Sequence, residues 1–170
     1  SYLEKYINEG YEVIGLGGLV GSTSQDECQK WINDCFEIVC DTPNRLPRVK
    51  IHGFGVTTYT LLLRFPWYSV DSTSWTKIGA FGGILVPHRR HGKWVFDEQP
   101  YLMKVSMDSP DRNKRNGHIL TLKDFEREII ELWLDDIGIP MGKMDADGNI
   151  IEYGVVTRHT ERRAANLHFF

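Results

Sequence analysis

Long apolar runs are missing from this sequence: no stretch approaches the roughly 18 residues that a membrane-spanning helix requires. The opening SYLEKYINEG has neither the basic start nor the apolar stretch of a secretory leader. A soluble, cytoplasmic protein with no membrane partner is therefore expected. Cysteine is scarce. Cys28, Cys35 and Cys40 cannot all pair with one another, and their separations of seven and five residues fit no C-x-x-C metal knuckle. A reducing compartment suits them. An excess of one charge is lacking too: 20 Lys and Arg against 23 Asp and Glu leave a formal charge of −3. That balance argues against tight, nonspecific binding to nucleic acid. What is present, 41% hydrophobic residues over 170 positions, suffices for the core of one globular domain and excludes a disordered chain.

The first 76 residues carry a repeating rhythm. An amphipathic opening, Tyr2, Leu3, Tyr6 and Ile7, predicts a helix over about 1–9 that Gly10 ends. Residues 11–16, YEVIGL, read as a buried strand, broken by the glycine loop Gly17 to Gly21. Ser24 and Glu27 have the spacing of a capping box, and Trp31, Ile32, Cys35, Phe36 and Val39 form an apolar stripe, so 24–40 is predicted helical. Arg48–His52 reads as a second strand, with Thr57 as N-cap of an apolar segment Tyr59–Leu63. Trp67–Asp71 reads as a third strand that ends in the turn Ser72–Ser74. Strands alternating with helices, with glycine and polar residues at the strand ends, predict βα units on a parallel sheet or barrel, with the chemistry in those loops.

Past residue 77 the rhythm changes. Residues 78–86, 93–96 and 101–107 are strand-like without crossover helices, and 108–117 form a polar, basic loop. Thr121 and Asp124 cap a predicted helix to Asp136, with Phe125, Ile129, Ile130, Trp133 and Ile137 on one face and Gly138 and Pro140 as its stop. Asp147-Gly148 reads as a hairpin turn, since the surrounding acidic run fails the calcium-loop spacing. Residues 158–166 are expected to form a short basic helix. The segments expected are thus 1–76, 77–120 and 121–170.

Several residues carry possible chemistry. Gly17, Gly18 and Gly21 at a strand end allow a ligand to approach the backbone, although such clusters also serve as plain turns, and the G-x-G-x-x-G and P-loop spacings are not met. Asp71 follows an apolar run at a strand end, where a partly desolvated carboxylate can act as nucleophile or base; an Asx-turn onto Ser72–Ser74 explains it equally well. His52, at another strand end, is placed to bind substrate or orient Asp71, or to serve structure alone. His88, His91, His118, His159 and His168 are scattered without a helical i, i+4 pair, so no zinc site is expected. Arg89 and Arg90, with Arg112, Lys114, Arg115, Arg158, Arg162 and Arg163, outline a positive surface for phosphate backbones.

The ordered motifs Gly17-Gly18-Leu19-Val20-Gly21, His52-Gly53-Phe54-Gly55-Val56-Thr57 and Ser69-Val70-Asp71-Ser72-Thr73-Ser74-Trp75 resemble the late strands of the tRNA-guanine transglycosylase superfamily. The match is nearest to the phage and bacterial branch linked to deazaguanine insertion into DNA. This resemblance, over about residues 1–76, implies part of a (β/α)8 barrel that exchanges guanine in DNA or tRNA for a deazapurine. It implies Asp71 as the carboxylate that attacks the sugar C1′. The loop Gly17, Gly18, Leu19, Val20 and Gly21 would recognise the base, and His52, Gly53, Gly55 and Ser72 would line its pocket. Arg89, Arg90, Arg112, Lys114 and Arg115 would hold the nucleic acid. No cofactor is implied. Two departures stand out: this stretch has one aspartate where the tRNA enzymes carry two, with Ser74 at the alternative position, and the family's zinc cysteines have no counterpart.

A closed barrel of this type takes about 250 residues. With no Met at position 1 and late motifs in the first 76 residues, the expectation is the C-terminal part of a larger fold, needing an N-terminal half or companion chain for its general acid. A homo-oligomer is a further expectation. Two rival readings remain: a noncatalytic nucleic-acid or protein-binding module on a barrel remnant, and an unrelated barrel hydrolase using Asp71 and His52.

Overall fold

The computed structural model describes residues 1–18, 24–40, 45–56, 58–110, 112–113 and 117–169. The chain is mixed α/β and divides into two compact units, Ser1–Thr73 and Ser74–Phe170. The segments 77–120 and 121–170 lie together in the second.

In the first unit, helix α1 (Tyr2–Asn8) leads into strand β1 (Val13–Leu16), helix α2 (Gln25–Val39), strand β2 (Lys50–Gly53), helix α3 (Tyr59–Arg64) and strand β3 (Ser69–Val70). Helix α2 starts where the capping box requires: Glu27 N–H donates to Ser24 Oγ, and Ser24 N–H to Glu27 Oε2 at 3.0 Å. These bonds hold the Glu27 carboxyl below the ordinary carboxylate range. The strands pair in parallel in chain order, β1-β2-β3, with Leu16 opposite Gly53 and Gly53 opposite Val70. One face of this sheet, Ile14, Leu16 and Ile51, packs against Ile32, Phe36 and Val39 of α2. Trp31, assigned to that stripe by periodicity, is 41% exposed at its margin. The other face, Val13, Gly15, Lys50, His52 and Ser69, is exposed or only part-buried. The N-cap of α3 is Thr58; Thr57 lies outside the described residues.

In the second unit, residues 74–80 form helix α4 (Ser74–Ala80), not the turn and strand expected from Ser74 and Ile78. Its tertiary contacts decide this: Arg163 lies against Gly79, so closely that a Cβ on Gly79 would meet its backbone nitrogen at 2.9 Å. Strand β4 (Gly83–Val86) follows and is paired antiparallel with β7 (Tyr101–Lys104), while β5 (His88–Arg90) and β6 (Lys93–Val95) make a hairpin between them in sequence. Helix α5 (Asp124–Asp136), the hairpin of β8 (Lys143–Met144) and β9 (Ile150–Glu152), and helix α6 (His159–Leu167) complete it.

Helix α5 buries Ile130, Trp133 and Leu134. Phe125 and Ile129, expected on that face, are 57% and 36% exposed and border an apolar groove of about 250 Å³ with Met103 and Leu122. The core's centre is Ile130 and Leu134, four apart, and it leaves Phe125 to one side.

Asn166 ties this unit together. Fully buried, it accepts from Leu85 N–H at 2.7 Å and donates from Nδ2 to the carbonyls of Trp75 (3.0 Å) and Gly83 (3.3 Å). Asn166→Ala leaves a buried N–H without its acceptor and is expected to cost about 2 kcal/mol. Urea unfolding measures this; an unchanged midpoint would contradict the role.

Candidate functional site at the strand ends

The C-terminal ends of three parallel strands bring the predicted motifs side by side. Gly17 and Gly18 follow β1, the turn Phe54-Gly55 follows β2, and Asp71 follows β3. The backbone joins them: Phe54 N–H donates to Leu16 O at 2.8 Å, and Asp71 N–H to Gly53 O at 3.2 Å. Gly55 adopts φ +68, a left-handed conformation costly for other residues, and its N–H donates to Asp71 Oδ1. Asp71 is thus fixed by the β2 turn. It is exposed to solvent, not partly desolvated as its position after an apolar run suggested.

His52 turns to a different partner. Its Nδ1 lies 2.9 Å from Ser69 Oγ, directly across the sheet, and no hydrogen bond links it to Asp71. Direct cooperation between His52 and Asp71, the core of the hydrolase reading, is not formed. The His52 ring meets Phe54 edge-on at 4.5 Å between centroids. Phe54, 51% exposed, lies against Gly15 so closely that a Cβ there would overlap its ring. Phe54 and Ser69 were given no role from sequence; an aromatic between two glycines was the available signal. Gly53 is buried, and a Cβ on it would meet Val56 at 2.5 Å and Trp67 at 2.9 Å, so its smallness serves packing.

Ser72 follows Asp71 and is part-buried, while Ser74 begins α4. Leu19, Val20, Gly21, Lys114 and Arg115 lie outside the described residues. A groove of about 770 Å³ opens at the opposite, N-terminal end of the sheet, among Tyr11, Arg48, Lys50, Trp67 and Tyr68; no predicted site residue lines it.

The expected positive surface is divided. Arg162 points inward, its guanidinium donating to Gly79 O and Val155 O at 2.8 Å each, and burial lowers its pKa. It is therefore removed from any phosphate-facing set. Arg158 stacks on Tyr153 at 3.4 Å, Arg163 reaches Thr76 O, and Arg90 pairs with Glu98 at 2.8 Å. Arg89 and Arg112 are exposed. His118 is buried with both ring nitrogens used, Nε2 toward Ser106 O and Nδ1 accepting from Leu120 N–H. Burial pushes the three thiols up in pKa, aided at Cys35 by Asp34, which makes them poor nucleophiles. Among the described residues no His, Cys, Asp and Glu group is arranged to hold a metal ion, and no helix is long and apolar enough to cross a membrane.

No family model, curated protein or solved structure matches this chain.

Proposed function

We propose that the first unit is part of a (β/α)8 barrel and that the protein is a transglycosylase exchanging guanine in nucleic acid for a deazapurine, with Asp71 as nucleophile. The observation that carries this reading is the convergence of three chain-consecutive parallel strands on one carboxylate, Asp71, oriented by the Gly55 N–H. Carboxyl ends of parallel strands are where βα folds place reacting groups. The bare sheet face supports the barrel part of the reading. Parallel sheets are ordinarily covered on both sides, and the face at Val13, Gly15, His52 and Ser69 is exposed or only part-buried, as expected of a sheet whose inner face other strands of a barrel would cover.

The chemistry is double displacement. An Asp71 oxygen attacks C1′, the C1′–N9 bond breaks, and its electron pair leaves with guanine, whose departure requires protonation by a group beyond Asp71. The incoming base then displaces the carboxylate and restores it. Phe54 offers the purine a stacking surface, and the main chain at Gly17 and Gly18 permits close approach of its polar edge. His52, braced by Ser69, is available to hydrogen-bond the base.

The test is a trapped intermediate. Incubating protein that carries the activity with a guanine-containing oligonucleotide and labelled guanine, then digesting it, should yield a peptide carrying a sugar adduct on Asp71 by mass spectrometry. An adduct on another residue, or none while label is exchanged, overturns the assignment.

A further inference from the structure

Helix α5 carries a second apolar stripe, which stays open to solvent. At about 100° per residue, Phe125, Ile129 and Leu132 fall within about 60° of one another, on the side away from the buried Leu134. Leu132 is 41% exposed and extends the exposed pair Phe125 and Ile129 to a stripe of two turns, about 10 Å long. Beside it lies the groove of about 250 Å³, walled opposite the helix by Tyr101 and Met103 of β7. That wall is fixed. Strand β7 is paired to β4, and the Tyr101 ring lies 4.2 Å from that of His88. An apolar cavity of about 150 Å³ already admits a benzene ring, so the groove has room for an aromatic side chain. A ligand confined to the groove would leave Leu132 uncovered.

The charges around the stripe have one sign. Helix α5 holds Asp124, Glu126, Glu128, Glu131, Asp135 and Asp136 against Arg127 alone. Glu128 and Asp135 stand about 40° and 60° beyond Leu132, and Glu126 about 60° beyond Ile129, where it lines the groove. Carboxylates therefore flank the apolar residues on both sides. Arg127 falls on the far side of the helix, about 160° from the stripe, and Asp136 is taken by Trp94 Nε1 at 2.6 Å. A cation stands only at the N-terminal margin, where Lys123 Nζ lies 5.8 Å from the Phe125 ring.

We infer that the Phe125–Ile129–Leu132 face of α5 and its groove dock a basic amphipathic helix of a partner protein. Apolar side chains at i, i+4 and i+7 are the spacing on which two helices interdigitate, and a large apolar residue of the partner would fill the groove. Lysines or arginines on the partner's flanks would meet Glu128 and Asp135 on one side and Glu126 on the other. The same carboxylates select against other occupants. A second copy of this chain would set acid against acid across the stripe, and nucleic acid or an anionic bilayer would be repelled.

Fluorescence anisotropy of a labelled synthetic peptide, titrated with the full chain, tests the inference. The probe is an amphipathic peptide of about 18 residues, long enough to form a helix, with Leu along one face and Lys on both flanks; its twin carries Glu for every Lys. The Lys peptide should bind at least tenfold more tightly than the Glu twin. Phe125→Ala/Ile129→Ala, checked for folding by circular dichroism, should weaken the Lys peptide at least tenfold. Glu128→Gln/Asp135→Asn, which leaves the apolar face intact, should weaken it about fivefold at low salt, and the difference should close in 1 M salt, where the Debye length is about 3 Å. Glu9→Gln/Glu37→Gln removes the same charge from the first unit and should change nothing. The inference is overturned if the two peptides bind alike, if the α5 variants bind like the parent, or if the Glu9/Glu37 pair loses as much. It is also overturned if sedimentation shows a dimer that Phe125→Ala/Ile129→Ala disperses, which would make a second copy the occupant. Base exchange is not read, so failure here leaves Asp71 standing, and failure of the adduct at Asp71 leaves this face standing.

Discussion

Asp71→Asn is expected to reduce base exchange on the order of 10⁴-fold or more, the scale on which removal of a single reacting group from a hydrolytic site is felt. The substitution isolates the chemistry. An asparagine keeps an Oδ1 that can accept from Gly55 N–H, so the turn after β2 retains its link to the end of β3. What it lacks is the anionic oxygen that attacks C1′. Asp71→Ala removes both the nucleophile and the acceptor and should in addition lower the stability of the first unit by about 1 kcal/mol. Incorporation of labelled guanine into nucleic acid, followed in protein that carries the activity, measures the first effect, and denaturant unfolding the second. Retention of exchange within tenfold by Asp71→Asn would remove Asp71 from the nucleophile's role.

The largest loss of stability is expected from Gly154→Ala, about 3 kcal/mol or more, at the upper end of what overpacking costs. A Cβ at Gly154 would overlap the Gly142 nitrogen, the Met141 carbonyl carbon and the Pro140 oxygen. All three are backbone atoms, so no side-chain rotation relieves the overlap. The two segments would have to separate, and they are joined there by Val155 N–H to Pro140 O and Val156 N–H to Met141 O, both at 3.0 Å. Separation would also unseat Val155 and Val156, 0% and 3% exposed. Gly148 makes a useful contrast: its φ is +89, but a Cβ there meets nothing within 4 Å, so Gly148→Ala should cost only the left-handed strain, roughly 1 kcal/mol. Thermal or urea unfolding of both variants measures the difference, and equal losses would contradict the close-approach explanation.

Legibility along the chain followed the range of the interactions. The capping box at Ser24 and the stop at Gly10 depend on neighbours within a few residues, and each formed where the sequence indicated; the helix expected to Asp136 formed too, but its N-cap is Lys123, with Asp124 its first residue and Thr121 the last of a separate 3₁₀ turn, Ile119–Thr121. The turn after β2 was visible as two glycines, and Asp71 as a polar residue after an apolar run. That Gly55 N–H would hold Asp71, and that His52 would take Ser69 instead, depends on strand register, which local pattern does not express. Helix α4 was missed because its residues, SWTKIGA, carry little helical periodicity; packing against α6 makes it a helix.

The amino-acid sequence alone determined the alternation of strands and helices in the first 76 residues, since side-chain period and capping chemistry act over three or four positions. The absence of long apolar runs set a further bound in the same way. Only the tertiary structure decided which residues meet. It brought Gly15 beneath Phe54, Gly142 against Gly154 and Asn166 onto Leu85, and it turned Arg162 inward while leaving Arg89 and Lys93 outside. These outcomes depend on contacts between positions from a dozen to more than eighty residues apart, where burial and hydrogen-bond satisfaction, not local propensity, select the arrangement.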